Sequence, residues 1–336
     1  MITAIAQATQ PETLPDWRQS LREAVTDPRE LLALVGLPEL TGRLPAGDAG
    51  FPLKVPRGFV ARMRHGDPDD PLLRQVLPQL AECDEAPGFG ADAVGDLDAV
   101  AGHGVLHKYE GRALLIAAGS CAVNCRYCFR RHFPYAEELA AAHAWREAVD
   151  CLAADPSIRE VILSGGDPLV LSTQKLTNLT DMLGGLDHVI RLRIHSRLPV
   201  VLPERVDAEL CAWLAGLPLQ RVVVIHANHP DELDASVGAA CARLRAAGAT
   251  VLNQSVLLRG VNDDAGVLAG LSERLFAMGV LPYYLHQLDR VRGTAHFEVA
   301  DARARDLLEA LRDRLPGYLV PRLVREVPGE LAKRPL

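Results

Sequence analysis

From about residue 105 onward, short β-branched runs alternate with longer amphipathic stretches. ALLIAAG, EVILSGG, VIRLRIHS, RVVVIHAN, TVLNQSVLL and VLPYYLH predict strands. Between them AEELAAAHAWREAVDCLAA, TQKLTNLTDMLGG, ERVDAELCAWLAG, DELDASVGAACARLRAAG and DAGVLAGLSERLFAMG set apolar residues at helical spacing. Six βα units in series predict an α/β fold whose parallel sheet curls into a barrel or partial barrel, with its site at the C-terminal ends of the strands. The first hundred residues have another rhythm. WRQSLREAVTDPRELLALVGL carries helix-spaced apolar residues with Thr26 or Asp27 as a cap, and FPLKVPRGFVARMR and DPDDPLLRQVLPQLAEC continue in pieces cut by Pro and Gly. EAPGFGADAVGDLDAVAGHG reads as a glycine-rich connection. The expected division is a helical lobe with its connection over 1–100, the barrel over 101–315 and a C-terminal segment over 316–336.

Composition narrows the class. At 336 residues and 49% hydrophobic the chain buries a sizeable core. A net charge of −7 argues against a general grip on nucleic acid and favours small-molecule chemistry. No run of eighteen apolar residues is present and the N-terminal MITAIAQATQPETLPDW lacks a basic start, so neither membrane insertion nor export is expected. Cys83, Cys151, Cys211 and Cys241 are scattered through apolar surroundings that suit reduced core thiols, and the chain is expected in the cytoplasm.

The remaining cysteines are not scattered. Cys121, Cys125 and Cys128 form C-x3-C-x2-C in SCAVNCRYCFRRHFPY, directly after a predicted strand. Four thiolates normally fill a 4Fe-4S cube, so a set of three leaves one iron open for another ligand. Structural zinc is the alternative, with a fourth ligand drawn from elsewhere in a non-catalytic barrel. Ser164, Gly165, Gly166 and Asp167 close the next strand, where glycines either form a tight turn or let a ligand approach the backbone. Asn253 and Gln254 are read as ending the fifth strand, and polar residues at a barrel mouth tend to face ligand. His195, His226, His229 and His286 also lie at strand ends, but a lone histidine is more often structural, and all four are left without a role.

The three-cysteine loop followed by a glycine-rich strand end resembles the radical S-adenosylmethionine enzymes. That resemblance implies a partial (βα)6 barrel, a 4Fe-4S cluster on Cys121, Cys125 and Cys128, and S-adenosyl-L-methionine held partly by Ser164, Gly165, Gly166 and Asp167. CRYCFRRHFPY, SGGDPL, RIHSRLPVVLP, LNQSVLLRGVND and PYYLHQLD, in this order, narrow the likeness over about 100–336 to the lysine 2,3-aminomutases. HKY at 107–109, RRHFPYAEE, GYLVPRLVRE and the helical first hundred residues look closer still to the branch that makes (R)-β-lysine for elongation factor P.

Resemblance to the lysine 2,3-aminomutases implies a further cofactor and a set of ligand contacts. The family also uses pyridoxal 5'-phosphate. Of the four lysines Lys54, Lys108, Lys175 and Lys333, the last occupies the family's place for the lysine that holds it, in VPGELAKRPL. The tail must then fold back across the barrel mouth rather than fray as a solvated terminus. By the same resemblance Arg130 takes the position that meets the substrate carboxylate, its alternative being a surface charge beside Arg126 and Arg131. Tyr109 and Arg112 take positions that contact the pyridoxal phosphate in the family, while Gln254, from its place at a strand end, is expected to contact a cofactor. Asp289 and Glu326 take those that grip the ε-ammonium of L-lysine, with glutamate where free-lysine mutases have aspartate; their alternative is surface pairing with Arg290, Arg292 or Arg325. Glu326 and the few residues after Lys333 weigh against a mutase of free-lysine metabolism. The implied partners are L-lysine, an electron donor for the cluster, and elongation factor P with its lysyl-transferring enzyme, with no nucleic acid and no membrane.

Overall fold

The computed structural model describes residues 15–47, 50–140 and 145–336. One sheet runs in chain order through ten strands: β1 (Val100–Gly102), β2 (Val105–Tyr109), β3 (Arg112–Ala118), β4 (Glu160–Gly165), β5 (Arg191–Ser196), β6 (Gln220–His226), β7 (Thr250–Val256), β8 (Leu281–His286), β9 (Arg322–Arg325) and β10 (Arg334–Pro335). From β3 to β9 every neighbour is parallel; β1, β2 and β10 attach antiparallel at the two edges. β1 and β10 do not pair with each other, so the barrel is open.

The six expected strands are β3 to β8. Helices cover the outer face, and the residues that meet them alternate along each strand: Ala113, Leu115 and Ala117, Val161 and Leu163, Leu192 and Ile194, Val223 and Ile225 all join one apolar core. The intervening positions look inward. The helices after β4, β5, β6 and β7 begin behind short polar caps: Ser172, Asp207, Asp234 and Asp264 each accept a backbone N–H of the first turn. Such a cap contributes roughly 0.5–2 kcal/mol.

Some elements depart from the periodicity. The helix expected over 136–154 is regular only over Arg146–Ala153, behind Trp145 at φ 61, a left-handed backbone that cannot continue a helix; residues 141–144 lie outside the described residues, as does the N-terminal stretch up to 14. β1, β2, β9, β10 and the helix Asp301–Arg312 are additions to the expected elements; the four strands have two to five residues each. In the lobe Asp27, not Thr26, is the cap, accepting from Arg29 N at 2.8 Å. Trp17, Leu31, Phe59 and Leu72 pack into the same core as the barrel helices. Only Cys241 of the scattered cysteines is fully buried, and Cys83 is exposed. No described helix is long and apolar enough to cross a membrane.

Gly165, at the end of β4, has φ +109, and a Cβ there would stand 2.5 Å from Ala118 O. Gly165→Ala is therefore expected to cost about 2 kcal/mol or more, through backbone strain and overpacking together. Thermal unfolding checks this, and an unchanged Tm would contradict it.

Candidate active site

The cysteine loop follows β3 and is clamped by the lobe. Arg126 is 0% exposed and grips Glu82 through Nε at 2.8 Å and again through Nη2; Arg131 Nη2 donates to the same carboxylate at 2.8 Å. Burial pushes the Glu82 carboxyl up, but the two guanidiniums outweigh it and hold it below the usual range. Arg126 Nη1 also donates to Phe51 O at 2.6 Å, Lys54 Nζ to Cys121 O at 2.9 Å, and Asn124 N to Lys54 O at 2.9 Å. The cysteines thus depend on residues far earlier in the chain. Burial lifts the Cys128 thiol to about 11 and Cys121 well above its ordinary value, with neighbouring thiols adding to both. Arg197 Nη1 donates to Cys125 Sγ at 2.7 Å. Among the described residues no three Cys, His, Asp or Glu side chains are gathered as a single-metal site, the arrangement the zinc alternative needs.

At the end of β4 the glycines make room for the chain itself. A Cβ on Gly166 would stand 2.3 Å from Ser120 O, so the β4 turn lies directly against the cysteine loop. Asp167 is fully engaged inside the protein, accepting from Ser196 Oγ at 2.7 Å, Arg197 N at 2.7 Å, Leu169 N at 3.0 Å and Leu198 N at 3.2 Å. Burial still raises its carboxyl to about 6. Its work is to lock the turns after β4 and β5 together. Ser164 Oγ accepts from Arg130 Nη1 at 3.1 Å.

Arg130 is 6% exposed, not a surface charge, and its Nε donates to Asp96 Oδ2 at 2.6 Å. Asp96 also pairs with Lys108 Nζ at 2.5 Å, which reaches on to Glu326 Oε1 at 3.0 Å. Glu326 Oε2 is held by Lys333 Nζ. Burial raises Glu326, yet Lys333 and Lys108 outweigh it and hold the carboxyl at about 2. Asp289 stands near Glu326 without an ion pair among the described residues; burial, then the Glu326 charge, push it up to about 7. Arg290 pairs instead with Glu298 and Arg325 with Asp301, so neither carboxylate is spent on the surface arginines.

Lys333 is brought there by the tail. β10 pairs with β9, Arg334 opposite Arg325, and Leu336 N bonds Leu323 O at 3.2 Å. The Lys333 ammonium lies 6.0 Å from the Tyr109 ring centre, and the Arg112 guanidinium 4.6 Å from the same ring. Gln254 is on the inner face, in register with His226 and Tyr284. Asn253 is not: it sits mid-strand on the helix side, bonded to Ala227 N at 2.9 Å, Ala227 O at 3.1 Å and Ser255 Oγ at 2.9 Å, since alternate residues point to opposite faces.

Known proteins resemble this chain over most of its length. The model for a 4Fe-4S single cluster domain matches residues 100–186, which include all three clustered cysteines. The L-lysine 2,3-aminomutase of Escherichia coli is 50% identical over 324 residues, covering 96% of this chain and 94% of that one. The chain belongs to the lysine 2,3-aminomutase family of radical S-adenosylmethionine enzymes. The L-lysine 2,3-aminomutase of Haemophilus influenzae is 46% identical over 94% of both chains, and that of Clostridium subterminale 33% identical over 96% of this chain and 77% of its own. Among solved structures, a radical SAM methyltransferase from Sphaerobacter thermophilus overlays with a TM-score of 0.48 and 17% identity, covering 66% of this chain and 68% of that one.

As an aminomutase the chain is an isomerase, and its cysteine loop fits an iron-sulfur cluster. The thiolates are the metal ligands, so a cluster binding at Cys121, Cys125 and Cys128 would displace their protons. Two histidines also gain a location. His195 and His286 face inward near Lys333, and burial pushes His195 well below its usual value and His286 to about 3, so both are neutral donors or acceptors. His195 Nε2 is buried without a partner among the described residues. His226 and His229 are structural, the first bonded to Tyr127 Oη at 2.9 Å, the second capping a turn at Asp231 N. Sequence reasoning missed the roles of Asp96 and Lys108, which sit in a connection and in β2; Lys108 is the lysine of HKY, and no local pattern marks Asp96.

Glu82→Gln is expected to leave two buried guanidiniums under-compensated, costing about 3–5 kcal/mol in denaturant unfolding. Iron bound per chain should fall toward the baseline of a Cys121→Ala, Cys125→Ala, Cys128→Ala chain. Full iron retention with unchanged stability would contradict the clamp.

Proposed function

We propose that the chain is a pyridoxal phosphate-dependent radical S-adenosylmethionine isomerase. It converts L-lysine to (R)-β-lysine by moving the α-amino group to the β-carbon, in the cytoplasm, for the modification of elongation factor P. The observation that carries this is the recessed charge cluster: one guanidinium, two carboxylates and Lys333 drawn together at the C-terminal ends of the strands. When bound, the reduced cluster with S-adenosylmethionine supplies the radical, and pyridoxal phosphate supplies the means to shift the nitrogen.

The chain's own residues then divide the work. Arg130 has Nε and Nη1 committed to Asp96 and Ser164, which fixes the plane in which Nη2 meets a carboxylate. Asp289 and Glu326 take the ε-ammonium, and a neutral or shorter side chain leaves both carboxylates short of a cation. A charge pair about 4 Å apart at an effective dielectric near 20 interacts by on the order of 4 kcal/mol before desolvation, enough to dominate side-chain choice. Lys333, carried on the β9–β10 turn, holds the pyridoxal group, with Tyr109, Arg112 and Gln254 lining its place; the Arg112 charge over the Tyr109 ring suits a phosphate. Ser164 and the turn locked by Asp167 support S-adenosylmethionine beside the cysteines. The elongation factor P assignment is supported by the HKY, RRHFPYAEE and GYLVPRLVRE motifs and by the helical first hundred residues.

Anaerobic incubation with L-lysine, dithionite, S-adenosylmethionine and pyridoxal phosphate is expected to yield (R)-β-lysine. Failure of a cluster-loaded, pyridoxal-bearing protein to make β-lysine would refute the activity, and the S enantiomer would refute the branch. Borohydride reduction followed by peptide mass spectrometry should find the pyridoxyl mass on Lys333; its appearance on Lys54, Lys108 or Lys175 would refute that role.

The pH dependence has a defined sign. Asp289 is protonated below about 7 and must be ionised to meet an ammonium, so kcat/KM for lysine should rise with pH through about 7. Asp289→Asn should lower kcat/KM by about tenfold or more and abolish that limb, with iron and pyridoxal content unchanged. A variant that keeps the wild-type profile would exclude Asp289 from the ammonium site.

A further inference from the structure

We propose that Asp96, in the glycine-rich connection ahead of β1, is a positioning residue that ties the carboxylate end of the substrate site to its ammonium end. The inference rests on the proposed function, which assigns those ends to Arg130 and Glu326, and adds a residue that neither motif nor chemistry had marked.

Asp96 sits in a built turn. Asp92 accepts the amides of Val94, Asp96 and Leu97 at 3.4, 3.0 and 2.9 Å, which folds the connection back on itself. Gly95, at φ +65, lets this turn pack on the C-terminal segment; a Cβ there would come within 3.1 Å of Pro328 Cβ. The turn therefore touches the segment that carries Glu326 and Lys333. Asp96 itself is 2% exposed, and each oxygen takes a different cation: Oδ2 the Arg130 Nε at 2.6 Å, Oδ1 the Lys108 Nζ at 2.5 Å.

Lys108 carries the connection onward. Its Nζ also donates to Val94 O at 2.7 Å and to Glu326 Oε1 at 3.0 Å, so one ammonium bridges the turn and the glutamate. The result is a continuous path from Arg130 through Asp96 and Lys108 to Glu326. Taking out the Asp96 charge leaves two buried cations facing each other across a neutral amide, and both must turn away. Arg130 then loses the bond that sets its plane, and Lys108 loses the partner that aims it at Glu326. A carboxylate that served only to brace the lobe would not disturb both ends of a ligand together.

Half-ligands separate the two ends. Norleucine keeps the carboxylate end without the ε-ammonium; cadaverine keeps the ammonium end without the carboxylate. Calorimetric titration of each, and of lysine, into the anaerobic holoenzyme gives dissociation constants that do not depend on turnover. Asp96→Asn should weaken lysine by about tenfold and both half-ligands by about threefold each, with iron and pyridoxal content retained. Arg130→Gln should weaken norleucine more than cadaverine and Glu326→Gln cadaverine more than norleucine, since each removes the group that meets one end and only loosens the path to the other. If those two controls behave and Asp96→Asn shifts neither half-ligand, or only one, the tie is overturned while the site stands. If the controls fail to separate the half-ligands, the site reading falls and the tie with it. Should Asp96→Asn not fold, Lys108→Gln decides: weaker cadaverine binding supports the tie, and unchanged cadaverine binding overturns it.

Discussion

A carboxylate withdrawn from water must be met by cations, and two such carboxylates govern this molecule. Glu82 and Asp96 are both almost wholly buried, and each is shared by two positive side chains. Glu82 holds Arg126 and Arg131, which flank the cysteines; Asp96 holds Arg130 from the same loop and Lys108 from β2. Desolvation alone would make either carboxylate costly, so each fixes its cations firmly in place. The loop bearing Cys121, Cys125 and Cys128 is accordingly held from outside the barrel. Its three arginines look like a surface patch in the sequence and are interior in the fold.

The legible parts of the chain are those where a pattern is local. Strands β3 to β8 announce themselves through apolar positions that recur on the helix-covered face, Leu115, Leu163, Ile194 and Ile225 among them, while inward positions such as His195 and Gln254 are free to be polar. The cysteine spacing is legible for the same reason. Asp96 and Lys108 are not, since a buried ion pair has no periodicity and its partners are distant along the chain. Asn253 shows the opposite error: a polar residue in an apolar strand suggests ligand, yet its amide closes a hydrogen-bond set with Ala227 and Ser255. At Gly165 and Gly166 the space a Cβ would take is filled by the chain's own backbone, a close approach that the sequence alone does not show.

The same contrast separates the carboxylates proposed to meet the ammonium. Glu326 is paired twice and stays ionised, whereas Asp289 is left with a raised proton affinity. With Asp96 they make three carboxylates beside Lys108, Arg130 and Lys333, so whenever Asp289 is ionised the cluster has no cation to spare. A cationic side chain is what such a site draws in, and a neutral one leaves it unbalanced.

The open barrel has a further consequence at its edges. A parallel sheet that fails to close exposes unpaired backbone groups, which invite another chain to add on. Here one edge ends in the three-residue β1 and the other in β10, where Arg334 brings a charge and Pro335 has no N–H to offer. The tail that presents Lys333 thus also shields the apolar pair Leu323 and Val324 of β9. Loss of that tail would take away the lysine proposed to hold pyridoxal phosphate and at the same time bare a sticky strand, so damage there is expected to show as aggregation as well as inactivity.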